Sequence, residues 1–279
     1  MSNLDGLGYN GKTVVVTGGS SGMGEATARI LGELGAKVHI VDIQPPKVPH
    51  ESFRQCDLSD FAQVRTVAAG LADVAPIDFV FPCAGLPPHV KGAMYCMRVN
   101  YIGTRLFVET LLPSVRDGGG IALISSDAAM GWQGNLAQSL EMLAIADPDA
   151  AYAWCEADPD KRVRDGYTSS KEMLVVWVQN KAVELGNSRR IRFNAIGPCP
   201  TKTAFVDQSK EIMTDEFIAA WPFPSLGRMA TAEEQAWPLI LINSPLCGAV
   251  TGAFLYTDQG FASGVFTGAI SPAFMGGGA

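Results

Sequence analysis

The chain is expected to fold as α/β: a single domain on a doubly wound parallel sheet of about seven strands with helices on both faces. Three observations lead there. Short β-branched runs alternate with stretches of helical period along almost the whole length. The first strand is apolar without alternation, as suits a strand covered on both faces. It leads directly into a glycine-rich turn and then a helix, the order that a βαβ unit requires.

"KTVVVTGGSSGMG" supplies that first strand, Thr13 to Thr17, after which Met23, Thr27, Ile30, Leu31 and Leu34 fall at helical spacing until Gly35. "KVHIVDI" (37–43) is the second strand and "SFRQCD" the third; a helix from Phe61 to Leu71 leads to the strand "IDFVFPC". One long helix is predicted from Ala93 to Val115, then the strand "IALIS", a helix from Tyr167 to Leu185 and the strand "IRFNAI". Thr231 to Ile242 is helical, and "GAFLYTD" (252–258) is the last strand. Ligands of such sheets bind beyond the carboxyl ends of the strands, so the residues there carry the functional information.

Composition narrows the function. With 279 residues, 47% hydrophobic and 18% charged, the chain can bury a substantial core. A formal net charge of −7 without clustered Lys and Arg excludes a nucleic-acid partner. The amino terminus has no signal-like pattern and no apolar run approaches the roughly 20 residues that span a bilayer, so no membrane partner and a cytoplasmic location are expected. The six cysteines and three histidines (His39, His50, His89) form no ligand-like cluster, so neither a metal nor a disulfide is expected.

At the end of the first strand, Gly18, Gly22 and Gly24, with Ser20, Ser21 and Met23 between them, would let backbone N–H groups and a helix amino end approach a pyrophosphate. Asp42 closes the second strand beside Ile43. A carboxylate there accepts hydrogen bonds from a ribose 2′-hydroxyl and repels a 2′-phosphate, which favours NAD over NADP; a solvated strand end is the plainer reading. Farther on, "DGYTSSKEM" places Tyr167 and Lys171 four positions apart on one helix face. By itself that spacing suits an idle surface pair as well as an acid–base couple.

"TGGSSGMG" together with "YTSSK" resembles the short-chain dehydrogenase/reductase family, from about Lys12 to about Gly260. Further motifs follow in the family's order: "CDLSD" with Asp57 and Leu58, "CAG" with Cys83, Ala84 and Gly85, "RVNYIGT" with Asn100, "ALISSDA" with Ser126, and "NAIGPCPTKT" with Pro198, Thr201 and Thr203. The resemblance implies a Rossmann-type dinucleotide-binding domain, an NAD-dependent enzyme acting on CH–OH groups, and a catalytic set of Asn100, Ser126, Tyr167 and Lys171. It places Asp57 at the adenine, Thr203 at the nicotinamide carboxamide, and Asn100 at a relay water near Lys171; a simple side-chain-to-backbone bond remains the alternative for Asn100. Ser125 is the competitor of Ser126. Cys83, Cys199 and Gln259 depart from the family pattern, and ordinary packing of the two thiols is favoured over a redox role.

The implied chemistry is exacting. A free tyrosine has a pKa near 10, and lowering it by about three units needs about 4 kcal/mol. A lysine ammonium about 5 Å away supplies on the order of 3 kcal/mol at an effective dielectric near 20. On this arithmetic Lys171 should depress the Tyr167 phenol, with the oxidised cofactor supplying the rest.

Ser126 and Tyr167 are separated by an unusually long segment, 131–166, in which Leu136, Leu140 and Leu143 share helical spacing after a possible cap at Asn135. Two D-P-D sequences (147–149 and 158–160) read as helix openings. This helical insertion is expected to shape the pocket mouth, with Asp127 and Trp132 near substrate; bacterial 3α-hydroxysteroid dehydrogenase/carbonyl reductases show a similar layout. Residues 204–228 are expected to form a lid, whose Phe205, Ile212, Met213, Phe217, Ile218, Trp221 and Phe223 suggest an apolar steroid-, terpenoid- or aromatic-like substrate; mere lid packing is the alternative. A homo-oligomer is expected, a dimer favoured over a tetramer because the insertion adjoins helices that relatives use for pairing. The tail 261–279 should cross to a partner or fray, with Gly276 to Gly278 fraying. Two other functions stay open: a reductase or epimerase on a polar sugar or acyl substrate, and a catalytically silent NAD-binding regulator.

Overall fold

A computed structural model describes residues 5–87, 90–211 and 213–271. His89, Ile212 and the glycines at 276–278 lie outside the described residues. β1 (Thr13–Thr17) leads to α1 (Gly22–Glu33) and β2 (Lys37–Asp42), followed by β3 (Ser52–Gln55), α2 (Phe61–Gly70) and β4 (Ile77–Pro82). α3 (Ala93–Met97) passes through a π-helical segment, Arg98–Gly103, into α4 (Thr104–Leu111) and then β5 (Val115–Ile124). The segment 131–166 holds α5 (Leu136–Leu143), α6 (Pro148–Ala157) and α7 (Pro159–Arg162). α8 (Tyr167–Arg189), β6 (Arg192–Pro198), β7 (Thr201–Lys202), α9 (Ala204–Gln208), α10 (Asp215–Ala220), β8 (Ala230–Thr231), α11 (Ala232–Asn243), β9 (Phe254–Thr257) and α12 (Phe261–Thr267) complete the order.

The predicted seven-stranded sheet forms, in the order β3-β2-β1-β4-β5-β6-β9 and parallel throughout. Its order reverses between β1 and β4, and this switch point opens a crevice at the carboxyl ends. Alternate side chains feed two cores. Val15, Val41, Val80, Leu123 and Phe193 pack under α2, α4 and α8, while Val14, Val16, Ile40, Phe81 and Ile196 pack under α1 and α11.

Two expectations change. The single helix predicted from Ala93 to Val115 is broken by the π segment, where Thr104 Oγ1 bonds Val99 O five residues back at 3.2 Å, and Gly103 sits so close to Leu58 O that a Cβ would lie 2.0 Å from it. Ordinary apolar spacing carries no mark of that extra residue. In the insertion, the leucine stripe is not the buried face: Leu136 and Leu140 are exposed, and Ser139 and Met142 are buried instead. The Asn135 side chain does not cap α5 but donates to both oxygens of Glu172, at 3.2 and 3.0 Å. The two D-P-D starts behave as read, Asp147 accepting from Ala150 N at 2.8 Å and Asp158 from Lys161 N at 3.4 Å.

The insertion lies against α8 and the π segment. Arg105 donates to Met142 O and Ile145 O, Gln138 to Arg162 O, and Arg164 to Ser169 Oγ and the buried Glu172 carboxylate. Its return is fixed by Gly166, whose φ of +74° and contact with Ala93, where a Cβ would stand 2.2 Å from O, exclude a side chain. That turn sets the start of α8 and hence Tyr167.

Candidate active site

The turn after β1 is built for close backbone approach. A Cβ on Gly24 would sit 2.1 Å from Gly18 O, and one on Gly18 would sit 2.6 Å from Ala84 N and Cα. Ser21 precedes α1 without capping it through its side chain, so the first N–H groups of that helix face the crevice with their dipole unmet. Asp42 is engaged locally: Ser20 N donates to Oδ2 at 3.0 Å and Gln44 N to Oδ1 at 3.1 Å. Each carboxylate oxygen keeps a lone pair for a further donor. Ile43 beside it is 52% exposed, an apolar side chain left open at the strand end. Asp57 Oδ1 accepts from Ser59 N at 2.8 Å, and Leu58 is buried. Ala84 N approaches Thr17 Oγ1 at 3.4 Å.

From there a cavity of about 380 Å³ runs beneath the carboxyl ends of β5 and β6. Met23, Cys83 and Gly85 line one end, Pro198, Thr201 and Thr203 the side, and Ser126, Asp127, Tyr167 and Lys171 the floor. From the segment 204–228, Phe205, Met213, Phe217 and Trp221 line it too, whereas Ile218 and Phe223 do not. The Phe205 and Tyr167 rings stand 5.7 Å apart. Trp132 is not among the lining residues, and from the segment 131–166 only Asp165 reaches the cavity. The segment thus meets the cavity through Asp165, while Asn135 and Arg164 tie it to Glu172 of α8. The sequence reading missed Asp165, whose place follows from the turn that launches α8.

Tyr167 and Lys171 do share a face, with Lys171 Nζ 5.5 Å from the phenol ring centroid. Lys171 Nζ donates to Ile124 O at 3.0 Å. Both serines line the cavity, but the Ser125 hydroxyl is committed to Lys171 O at 2.9 Å, whereas that of Ser126 is turned to the neighbouring Asp127 carboxyl at 3.0 Å. The electrostatic expectation for the phenol is corrected. Burial pushes the Tyr167 hydroxyl above its ordinary range, only partly offset by the Ser126 hydroxyl and reinforced by the Asp127 and Asp165 carboxyls. Burial also lowers Lys171 to about 8.

Asn100, in the π segment, is committed to the loop after β4. Its Oδ1 accepts from Leu86 N at 2.8 Å, and its Nδ2 donates to Leu86 O at 2.9 Å. The side-chain-to-backbone alternative thus describes its contacts, and they hold Gly85 against Lys171: a Cβ on Gly85 would meet Lys171 Nζ at 3.5 Å. Burial pushes the Cys83 thiol up to about 12 and that of Cys199 up to about 11, as expected for packed, unreactive sulfurs. Cys199 Sγ takes contacts from Gln235 and Gln259 at 3.7 and 3.5 Å, which gives the unusual Gln259 a structural task. Among the described residues no His, Cys, Asp and Glu cluster could hold a metal, and no helix is long and apolar enough to cross a membrane.

Comparison with known proteins agrees with this geometry. A family model described as short chain dehydrogenase matches residues 12–138, and one described as enoyl-(acyl carrier protein) reductase matches residues 161–262. The chain is 29% identical over 252 residues to the coniferyl-alcohol dehydrogenase of a Pseudomonas strain, covering 90% of this chain and 97% of that protein. It is 28% identical over 259 residues to the 3-alpha-hydroxysteroid dehydrogenase/carbonyl reductase of Comamonas testosteroni, covering 88% and 95%. In fold it matches the NADH complex of the 3-alpha-hydroxysteroid dehydrogenase of a Pseudomonas species with a TM-score of 0.76 at 23% identity, covering 93% of this chain and 100% of that one. With strand order, glycine turn and the Tyr167–Lys171 pair all in place, the chain belongs to the short-chain dehydrogenase/reductase family of oxidoreductases, which bind a nicotinamide cofactor.

Proposed function

We propose that the protein is an NAD-dependent dehydrogenase that interconverts a secondary alcohol and a ketone on an apolar substrate of steroid, terpenoid or aromatic type. The observation that carries this reading is one cavity holding Ser126, Tyr167 and Lys171 on its floor under the apolar lid of Phe205, Met213, Phe217 and Trp221. Relatives named for coniferyl alcohol, hydroxysteroid and borneol oxidation support it. A polar sugar or acyl substrate would need more charged side chains on that wall than it has.

The residues of the β1–α1 turn, with Asp42 and Ile43, would hold the adenosine and pyrophosphate of the dinucleotide. Asp42 supports NAD over NADP, because a 2′-phosphate there would meet a carboxylate. Asp57, Leu58, Ala84 and Gly85 would flank the adenine and ribose, and Pro198, Thr201 and Thr203 the nicotinamide. When bound, the cofactor supplies a hydride acceptor and, oxidised, a positive charge.

The chain's own part is proton handling. Tyr167 takes the substrate hydroxyl proton in oxidation and returns it in reduction. Lys171, beside it, favours the ionised phenol whenever it is itself charged. Ser126 donates a hydrogen bond to the substrate oxygen as charge develops there, and Asn100 fixes the loop that carries Gly85.

NADH formation with a panel of secondary alcohols, for the native protein and Tyr167→Phe, tests the proposal. Turnover of apolar alcohols lost in the variant is expected, with NAD affinity retained. Binding of NAD without turnover of any alcohol or carbonyl by the native protein would refute it in favour of a silent regulator.

A further inference from the structure

The mechanism above leaves one buried acid without a task. Asp127 follows Ser126, lines the cavity and is 8% exposed. Its Oδ1 accepts from the Ser126 hydroxyl at 3.0 Å, and its Oδ2 is buried with no hydrogen-bond partner. Among the described residues no cation forms an ion pair with it, and Lys171 of the same cavity is turned to Ile124 O. The charged group that bears on it is Asp258, at the end of β9, a second acid whose oxygens accept from Gly260 N and Ala262 N. The phenols of Tyr167 on α8 and Tyr256 on β9 and the Cys199 thiol beyond β6 also feel its charge, and all three are neutral near pH 7.

A carboxylate with one bare oxygen in such surroundings is costly, and the neutral acid is favoured. The Ser126 hydroxyl has a single proton to give, and its oxygen already accepts from Ala128 N at 3.2 Å. An ionised Asp127 is a strong acceptor and takes that proton; a neutral one is a weak acceptor, or itself donates to Ser126 Oγ. We propose that Asp127 is a positioning residue that acts through Ser126: protonated, it leaves the serine hydroxyl free to donate to the substrate oxygen, and ionised, it withdraws that donor. The proposal rests on the alcohol–ketone reading and adds a control to the same site. Burial pushes the carboxyl up to about 7. The donor is therefore present below that pH and lost as pH rises through it.

Two measurements test it. In infrared difference spectra of the intact protein, a carboxylic acid C=O band should be absent from Asp127→Asn, or from Asp127→Ser if the first variant does not fold. Its loss with pH in the native protein should centre near neutrality. Ser126→Ala, which deprives the carboxylate of its donor, should move that transition up by about one to two pH units. In kinetics, native kcat/KM for carbonyl reduction should fall above neutrality by about tenfold per unit, while Asp127→Asn should stay level over that range until the separate Tyr167 limb. An unshifted transition in Ser126→Ala, or a native-like limb in Asp127→Asn, would overturn the proposal. Absence of turnover in the native protein would refute the alcohol–ketone reading, and the infrared coupling would still decide the role of Asp127.

Discussion

Replacing Lys171 with Met removes the ammonium beside the Tyr167 phenol without removing its bulk. With Nζ 5.5 Å from the ring centre, and that length taken as the scale of the charge separation, an effective dielectric near 20 gives a preference for the phenolate on the order of 3 kcal/mol, or about two pKa units. The effect has a ceiling in pH, because burial lowers Lys171 to about 8. It is charged below that value and loses its influence as pH rises through it. In alcohol oxidation at saturating NAD, the Lys171→Met limb should therefore move up by about two units, with a loss near 100-fold at pH 7 that shrinks toward pH 10. Lys171→Arg should recover part of the rate at pH 7 and extend it to higher pH, since a guanidinium stays charged. Fluorescence titration of NAD separates weakened binding from weakened chemistry. A Lys171→Met profile whose limb coincides with the native one would refute the electrostatic role.

Other outcomes follow from the geometry. Gly166→Ala combines a positive φ with a Cβ 2.2 Å from Ala93 O; urea unfolding should show a loss of about 2–4 kcal/mol, with kcat falling because the start of α8 must shift. Asp42→Ala should raise the NAD Kd by about 10- to 100-fold, the worth of hydrogen bonds to a charged group, and narrow the gap to NADP, both read by titration. The insertion packed on α8 should leave a dimer rather than a tetramer in sedimentation, and a tetramer would show that α4 and α8 still pair.

Much of the fold was legible because its signals are local. The alternation of β-branched runs with helical spacing located all seven strands of the main sheet, and the D-P-D sequences marked two helix starts through the side-chain chemistry of Asp147 and Asp158. The site residues at strand ends were legible for the same reason: Ser126, Tyr167 and Lys171 reach one cavity because β5 and α8 end and begin there. What escaped depends on contacts distant in sequence. Leu136 and Leu140 point outward because Met142 and Ser139 meet α8. Trp132 is not among the cavity-lining residues, and the contacts that seat its segment, from Arg105 to Met142 O and Ile145 O and from Arg164 to Glu172, are distant in sequence from it. The state of the phenol escaped too, since pairwise charge arithmetic omits the cost of burial, which pushes the hydroxyl up.

The π segment at Arg98–Gly103 carries a consequence for the chain's tolerance of change. A π turn accommodates one residue more than an α turn, so α3 and α4 run out of phase by the angle of one residue, about 100°. Deleting any single residue of the segment would restore a regular helix and rotate Asn100 or its neighbours away from Leu86. The length of this stretch is thus constrained more tightly than its composition, and a deletion scan should find it intolerant where point substitutions on its outer side pass.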